Sequence, residues 1–143
     1  MVVPIYAYLI EHSQEGLILV DTGINWRQTH EHGAYYTEIA HYLFDADEYE
    51  LDRSEELPAA LARLGHRPED VHRVVITHLH EDHMGGLTYL PGSEVLISRD
   101  EWDNGGGSCV ASSRWSTKGR SRHRVLLPPS TSPPEPAKTL LRV

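Results

Sequence analysis

The apolar positions of this chain alternate first and become helical later. Val2–Ile10 is rich in Val, Ile and Tyr and predicts a strand, with Pro4 near its start. Glu11–Gly16 is polar and ends in glycine, a turn. Leu17–Asp21 predicts a second strand, hairpinned to the first. Residues 24–50 are polar and aromatic, with a short helix expected around Thr37–Phe44. Beyond them, Leu57, Ala60, Leu61 and Leu64 follow the i, i+3, i+4, i+7 rule of an amphipathic helix. Ser54 is placed to cap it, Pro58 lies in its first turn, and Gly65 stands where a helix-ending glycine belongs. Val71–Thr77 and Val95–Ser98 read as strands, and a helix is expected to begin near Asp100 and stop at the glycines. Strand, helix, strand is the grammar of an α/β protein. After residue 103 the pattern shows neither period, which predicts an irregular tail.

Charge divides the chain at the same place. The 143 residues carry a net charge of −8. Residues 1–103 hold 6 basic and 20 acidic side chains, and residues 104–143 hold 7 basic and 1 acidic. Sixteen of those last 40 positions are Ser, Pro or Gly, a share at which a segment reads as disordered. The chain is therefore expected to have an ordered part, 1–103, and a disordered tail, 104–143. So acidic an ordered part argues against nucleic acid as a partner, since a phosphate backbone is met by clustered Lys and Arg. No apolar run approaches the roughly 18–20 residues of a membrane span, and no signal-peptide pattern opens the chain. A cytoplasmic protein with no membrane partner is expected. The single cysteine, Cys109, excludes an internal disulfide and a multi-cysteine zinc ribbon.

Histidine changes the picture. Of ten, three fall in Thr77-His78-Leu79-His80-Glu81-Asp82-His83-Met84-Gly85-Gly86, directly after the predicted strand. His78 and His80 are two apart, so an extended backbone projects them to one side. Asp82 and His83 follow in a loop that can bring them to the same space. Imidazole nitrogen and carboxylate oxygen are ligands that zinc accepts, and the carboxyl end of a strand is where α/β proteins build sites. His78, His80, Asp82 and His83 are the candidate metal ligands. Gly85-Gly86 allows the backbone to turn away and pack closely. His30-x-His32 has a similar spacing but no strand before it and reads as a solvated loop. His12, His41, His66 and His72 are isolated. His123 lies among Arg120, Arg122 and Arg124, whose charge disfavours a cation. Asp21 either caps a turn or accepts a hydrogen bond from a ligating histidine.

His78-x-His80-x-Asp82-His83 resembles the signature of the metallo-β-lactamase superfamily, and Leu17-Ile-Leu-Val-Asp-Thr-Gly23 is similar to that superfamily's first motif. Within it, Val3-Pro4…Tyr8-Leu9-Ile10-Glu11, Leu64-Gly65…Pro68-Glu69-Asp70 and His83-x-Gly85-Gly86 resemble the quorum-quenching N-acyl-homoserine lactonases. The resemblance spans residues 2 to about 103. It implies an αβ/βα sandwich and two zinc ions, with His78 and His80 on one, Asp82 and His83 on the other, and later residues completing both. It implies a small-molecule lactone substrate, opened by an activated water. Asp82 would also handle the leaving-group proton, and Asp21 would support the ligating histidines. Related thioesterases of the glyoxalase II type share both motifs.

The resemblance stops where the charge reverses. No later histidine pair or bridging aspartate follows residue 103, and Asp103 is the last aspartate. The expectation is an N-terminal half of the sandwich followed by a tail from an altered reading frame, a truncated product that binds metal partially and turns over little or no substrate. Oligomeric state is not legible in the sequence.

Overall fold

The computed structural model describes residues 3–31, 49–105, 123–126 and 139–142. Four strands come from the N-terminal part: β1 (Tyr6–His12), β2 (Gly16–Val20), β3 (Val71–Ile76) and β4 (Glu94–Ser98). Two more, β5 (His123–Leu126) and β6 (Thr139–Arg142), come from the tail. The helices are α1 (Trp26–His30), α2 (Leu57–Arg63), α3 (Glu81–Met84) and α4 (Arg99–Gly105).

The strands form one sheet in the order β5-β4-β3-β2-β1-β6. β1 and β2 are the predicted antiparallel hairpin, with Tyr8 opposite Val20 and Ile10 opposite Ile18. β2, β3, β4 and β5 run parallel. The crossover from β2 to β3 carries α2, the connection that parallel neighbours require. The tail departs from the irregular reading, because β5 pairs with β4 and β6 pairs antiparallel with β1 at the two edges. Edge pairing satisfies the unpaired N–H and C=O groups of an outer strand. That needs backbone only, so no alternation of side chains announces it.

One face of the sheet carries the core. Ala7, Leu9, Leu19, Val74, Ile76, Val95 and Ile97 pack against Leu57, Ala60 and Leu61 of α2 and against Leu87 and Leu90 beyond α3. Alternate positions face the other way. There Tyr8 is exposed, and Ile10, Ile18, Val20, Val75 and Leu96 are half-buried.

Local chemistry sets the element ends. Ser54 is not the helix cap. A 3-10 turn over Arg53–Glu55 comes first, capped by Asp52, whose carboxylate accepts from the Ser54 N–H at 2.8 Å. α2 then starts after Glu56, with Pro58 in its first turn, where a proline costs no helical hydrogen bond. It ends at Gly65, whose φ of 83° suits glycine; His66 N–H reaches back to the Leu61 carbonyl. α4 begins one residue before Asp100 and closes on glycine, as the pattern predicts. The helix expected around Thr37–Phe44, and Cys109, lie outside the described residues.

Candidate active site

β3 delivers the histidine-rich segment to the carboxyl end of the sheet. His78 and His80 lie in the irregular stretch after it, and α3 then carries Glu81, Asp82 and His83. The loop reading of Asp82 and His83 gives way to one helical turn, which brings the chain back beside His78. The His78 and His83 ring centroids are 3.9 Å apart, and those of His78 and His80 are 4.6 Å apart. Asp82 Oδ2 lies 3.4 Å from His83 Nε2. The four residues singled out by spacing are thus neighbours, with His80 exposed and the others half-buried.

The loop after β2 holds this turn in place. Residues Asp21 to Asn25 are all buried. Thr22 donates to the His83 carbonyl through both its N–H, at 2.8 Å, and its hydroxyl, at 2.9 Å. The Asn25 amide donates to the Gly85 carbonyl at 2.9 Å, and Gly86 N–H donates to the Gly23 carbonyl at 3.2 Å. The two backbones meet so closely that side chains are excluded at Gly85 and Gly86. A Cβ on Gly85 would stand 2.0 Å from Gln28 Oε1, and one on Gly86 would stand 2.4 Å from the Thr22 carbonyl. The glycines serve close approach, since neither has a positive φ.

Of the two sequence readings of Asp21, the described contacts match the acceptor facing a histidine, and none of them caps the residue's own turn. Its Oδ1 accepts from the Thr77 N–H and its Oδ2 from the Thr77 hydroxyl, each at 2.8 Å, which ends β3. The same Oδ2 lies 2.8 Å from His83 Nδ1. Asp21 is 5% exposed, so its carboxylate depends on these donors for the solvation it has lost. A carboxylate oxygen only accepts, so His83 donates from Nδ1, and in the neutral ring Nε2, on the side of Asp82, is the nitrogen with the lone pair.

Two of the donors stand at the spacing that a shared metal ion imposes. Two ligands of one tetrahedral zinc, bonded at about 2.0–2.2 Å, stand about 3.4 Å apart, the spacing of His83 Nε2 and Asp82 Oδ2. Donor type, spacing and the carboxylate behind His83 all suit zinc. Among the described residues, however, no three such side chains are gathered closely enough to hold an ion. The fit is that of part of a centre.

The structure adds residues that spacing did not reveal. Glu101 of α4 accepts from the Leu79 N–H at 3.0 Å and clamps the segment between His78 and His80. Asn25 and Gln28 form a capping box on α1, a pattern legible in the sequence as an Asn with a Gln three residues on. Buried Glu56 accepts from Trp26 N–H at 2.9 Å and from the Tyr89 hydroxyl, tying α1 to the segment after α3. Three other described histidines make contacts away from this site. His12 Nδ1 accepts from the N–H groups of Gln14 and Glu15, His66 pairs with Glu11, and His30 stacks on Trp26. His32 and His41 lie outside the described residues. None of the described helices is long and apolar enough to cross a membrane.

Comparison with known proteins gives one answer at three levels. The chain is 33% identical over 100 residues to an N-acyl homoserine lactonase of Bacillus cereus, a match covering 70% of this chain and 38% of that protein. It is 30% identical over 102 residues to the N-acyl homoserine lactonase AiiB of Agrobacterium fabrum, covering 70% and 34%. The chain thus spans under two-fifths of these relatives. The solved structure of a Bacillus thuringiensis AiiA mutant, with N-decanoyl-L-homoserine bound at its active site, matches at a TM-score of 0.63 and 22% identity. That match covers 86% of this chain and 47% of the AiiA chain, and the likeness is one of fold. The metallo-beta-lactamase superfamily model matches residues 1–96, which include β1 to β3, the histidine turn and the start of β4, and the chain belongs to that superfamily.

Proposed function

We propose that this protein is a zinc-dependent hydrolase that opens the lactone ring of N-acyl-homoserine lactones in the cytoplasm. One observation carries the reading. His83 is held through Nδ1 by Asp21 and turns Nε2 toward Asp82 at a zinc-like spacing, beside His78. The lactonase names of the relatives supply the substrate class. His78, His80, Asp82 and His83 would hold zinc, which when bound polarises a carbonyl and lowers the pKa of water to near 7. Asp82 sits at the edge of that space, half-buried, where its carboxylate could take the proton given up by the attacking water and return it to the alkoxide leaving the opened ring. The acidic balance of residues 1–103 favours a cation over an anionic polymer at this site.

The test is a hydrolysis panel on the zinc-loaded chain, with N-acyl-homoserine lactones and glutathione-type thioesters side by side. Lactone opening that requires zinc and disappears in His80→Ala and Asp82→Asn is the expected result. The expected rate is small, because the described residues supply only part of the ligand set. Thioester turnover alone would move the protein to the glyoxalase II type. Zinc binding with no turnover, unchanged in His80→Ala, would leave a metal-binding product without catalysis.

A further inference from the structure

Thr77 stands between the strand and the histidines, and its hydroxyl has three polar neighbours. Asp21 Oδ2 is 2.8 Å away, His78 Nδ1 is 3.0 Å away and His83 Nδ1 is 3.5 Å away. A hydroxyl has one hydrogen to give. The Asp21 carboxylate has none to give, so the Thr77 hydrogen goes to Oδ2. The hydroxyl oxygen is then an acceptor on its other side, and what faces it is His78 Nδ1. A neutral imidazole must carry its proton there to complete the bond, which leaves Nε2 unprotonated. His83 Nδ1, at 2.8 Å from the same Oδ2, is protonated for the same reason.

We infer that Thr77 is a positioning residue, whose hydroxyl transmits the Asp21 charge to His78 and fixes the Nδ1–H tautomer of that ring. One buried carboxylate thereby sets two imidazoles, His83 directly and His78 through Thr77, with both Nε2 lone pairs left for a ligand. The carboxylate has the capacity. It accepts the Thr77 N–H on Oδ1 and two donors on Oδ2, within the roughly four lone-pair sites of an ionised group. The metal use of those lone pairs rests on the proposed function above. The tautomer itself does not.

Nitrogen-15 NMR of the histidine rings in the metal-free chain reads the tautomers directly, with His78 assigned by its loss in His78→Gln. In the parent chain both His78 and His83 are expected as Nδ1–H. Thr77→Val keeps the side chain's shape and the Thr77 N–H bond to Asp21. It should shift His78 to a mixed or Nε2–H population and leave His83 unchanged. Thr77→Ser should restore His78. Zinc titration against a chromophoric chelator should follow in parallel, with affinity falling roughly 10-fold or more in Thr77→Val and recovering in Thr77→Ser. A His78 ring that is Nε2–H in the parent, or that keeps one tautomer in all three proteins, overturns the inference. A parent chain that shows the expected tautomers but binds no zinc upholds it, and sinks the metal reading instead. A role confined to ending β3 would change both rings or neither, and Thr77→Ser guards against a Val variant that fails to fold.

Discussion

Asp21 holds φ at 58°, a left-handed backbone that non-glycine residues rarely adopt, although Asp and Asn tolerate it best. Such a conformation costs on the order of 1–3 kcal/mol unless the surroundings fix it. Here they do, through the Asp21 N–H to the Val75 carbonyl and the three donors to its carboxylate. The residue's backbone and its chemistry can be separated. Asp21→Asn keeps a side chain suited to this φ but removes the charge and one acceptor oxygen. It is expected to fold, with zinc affinity lowered roughly 10–100-fold, as read by chelator competition. Asp21→Ala loses the tolerance as well and should melt at a lower temperature than Asp21→Asn. Equal zinc affinity in Asp21→Asn and the parent would remove Asp21 from the site.

Two other carboxylates act away from the site and give a sign to the acid response. The Ser54 side chain and N–H hold Asp52 below the usual carboxylate range, and the Arg67 guanidinium and N–H do the same for Asp70. A carboxyl with a lowered folded pKa stabilises the fold above its unfolded value, near 4, and loses that contribution as pH falls through the folded value. Both groups are at the surface, so salt and solvent keep the effect small. Acid titration of stability should show a loss beginning below about pH 4 from these two groups, and Asp52→Asn with Asp70→Asn should flatten it. An unchanged acid limb in the double variant would show that the two caps contribute nothing.

At the scale of elements, β2 shows how the pattern becomes packing. Leu19 is fully buried against α2, while Ile18, one residue away, turns to the opposite face and is half-buried. Leu19→Ala should cost about 2–5 kcal/mol, because it removes transfer energy and leaves a cavity. Ile18→Ala should cost less than half as much, as measured by urea unfolding. Similar losses would mean that both faces are covered. The four central strands were legible for this reason, since each carries a run of Val, Ile and Leu bounded by turns. The turn at Gly65 and the histidine cluster were legible too, because one residue type in one place does the work. What stayed hidden depends on partners distant in sequence. The single turn of α3 is too short for a period. Its seat against Asp21–Asn25 comes from backbone contacts across some 60 residues, such as Thr22 to the His83 carbonyl. Asp52, not Ser54, caps the approach to α2, because Pro58 sets where that helix starts. β5 and β6 are held by edge hydrogen bonds, which leave no mark on side-chain order.

For the whole molecule, the sheet is finished on one side only, as far as the described residues show. The core face meets α2 and the segment after α3. The opposite face presents Tyr8, Val20, Val75 and Leu96 in one transverse row, by the register of β1 to β4, with Tyr8 43% exposed. The site has the same half-built character. His83 and Asp82 are spaced as two ligands of one ion and His78 stands beside them, yet no three donors among the described residues close on a point. A structural zinc centre needs four ligands and a catalytic one three with an open position. The 143-residue chain is therefore expected to hold zinc weakly and below the two ions per chain that the lactonase resemblance implies. Elemental analysis after dialysis against metal-free buffer measures this, with the His83→Ala variant as the reference for adventitious metal. Content well under two, reduced further by His83→Ala, fits a partial centre built on α3. Two firmly held ions per chain would mean that the missing ligands are supplied by residues outside those described, and that the centre closes within this chain.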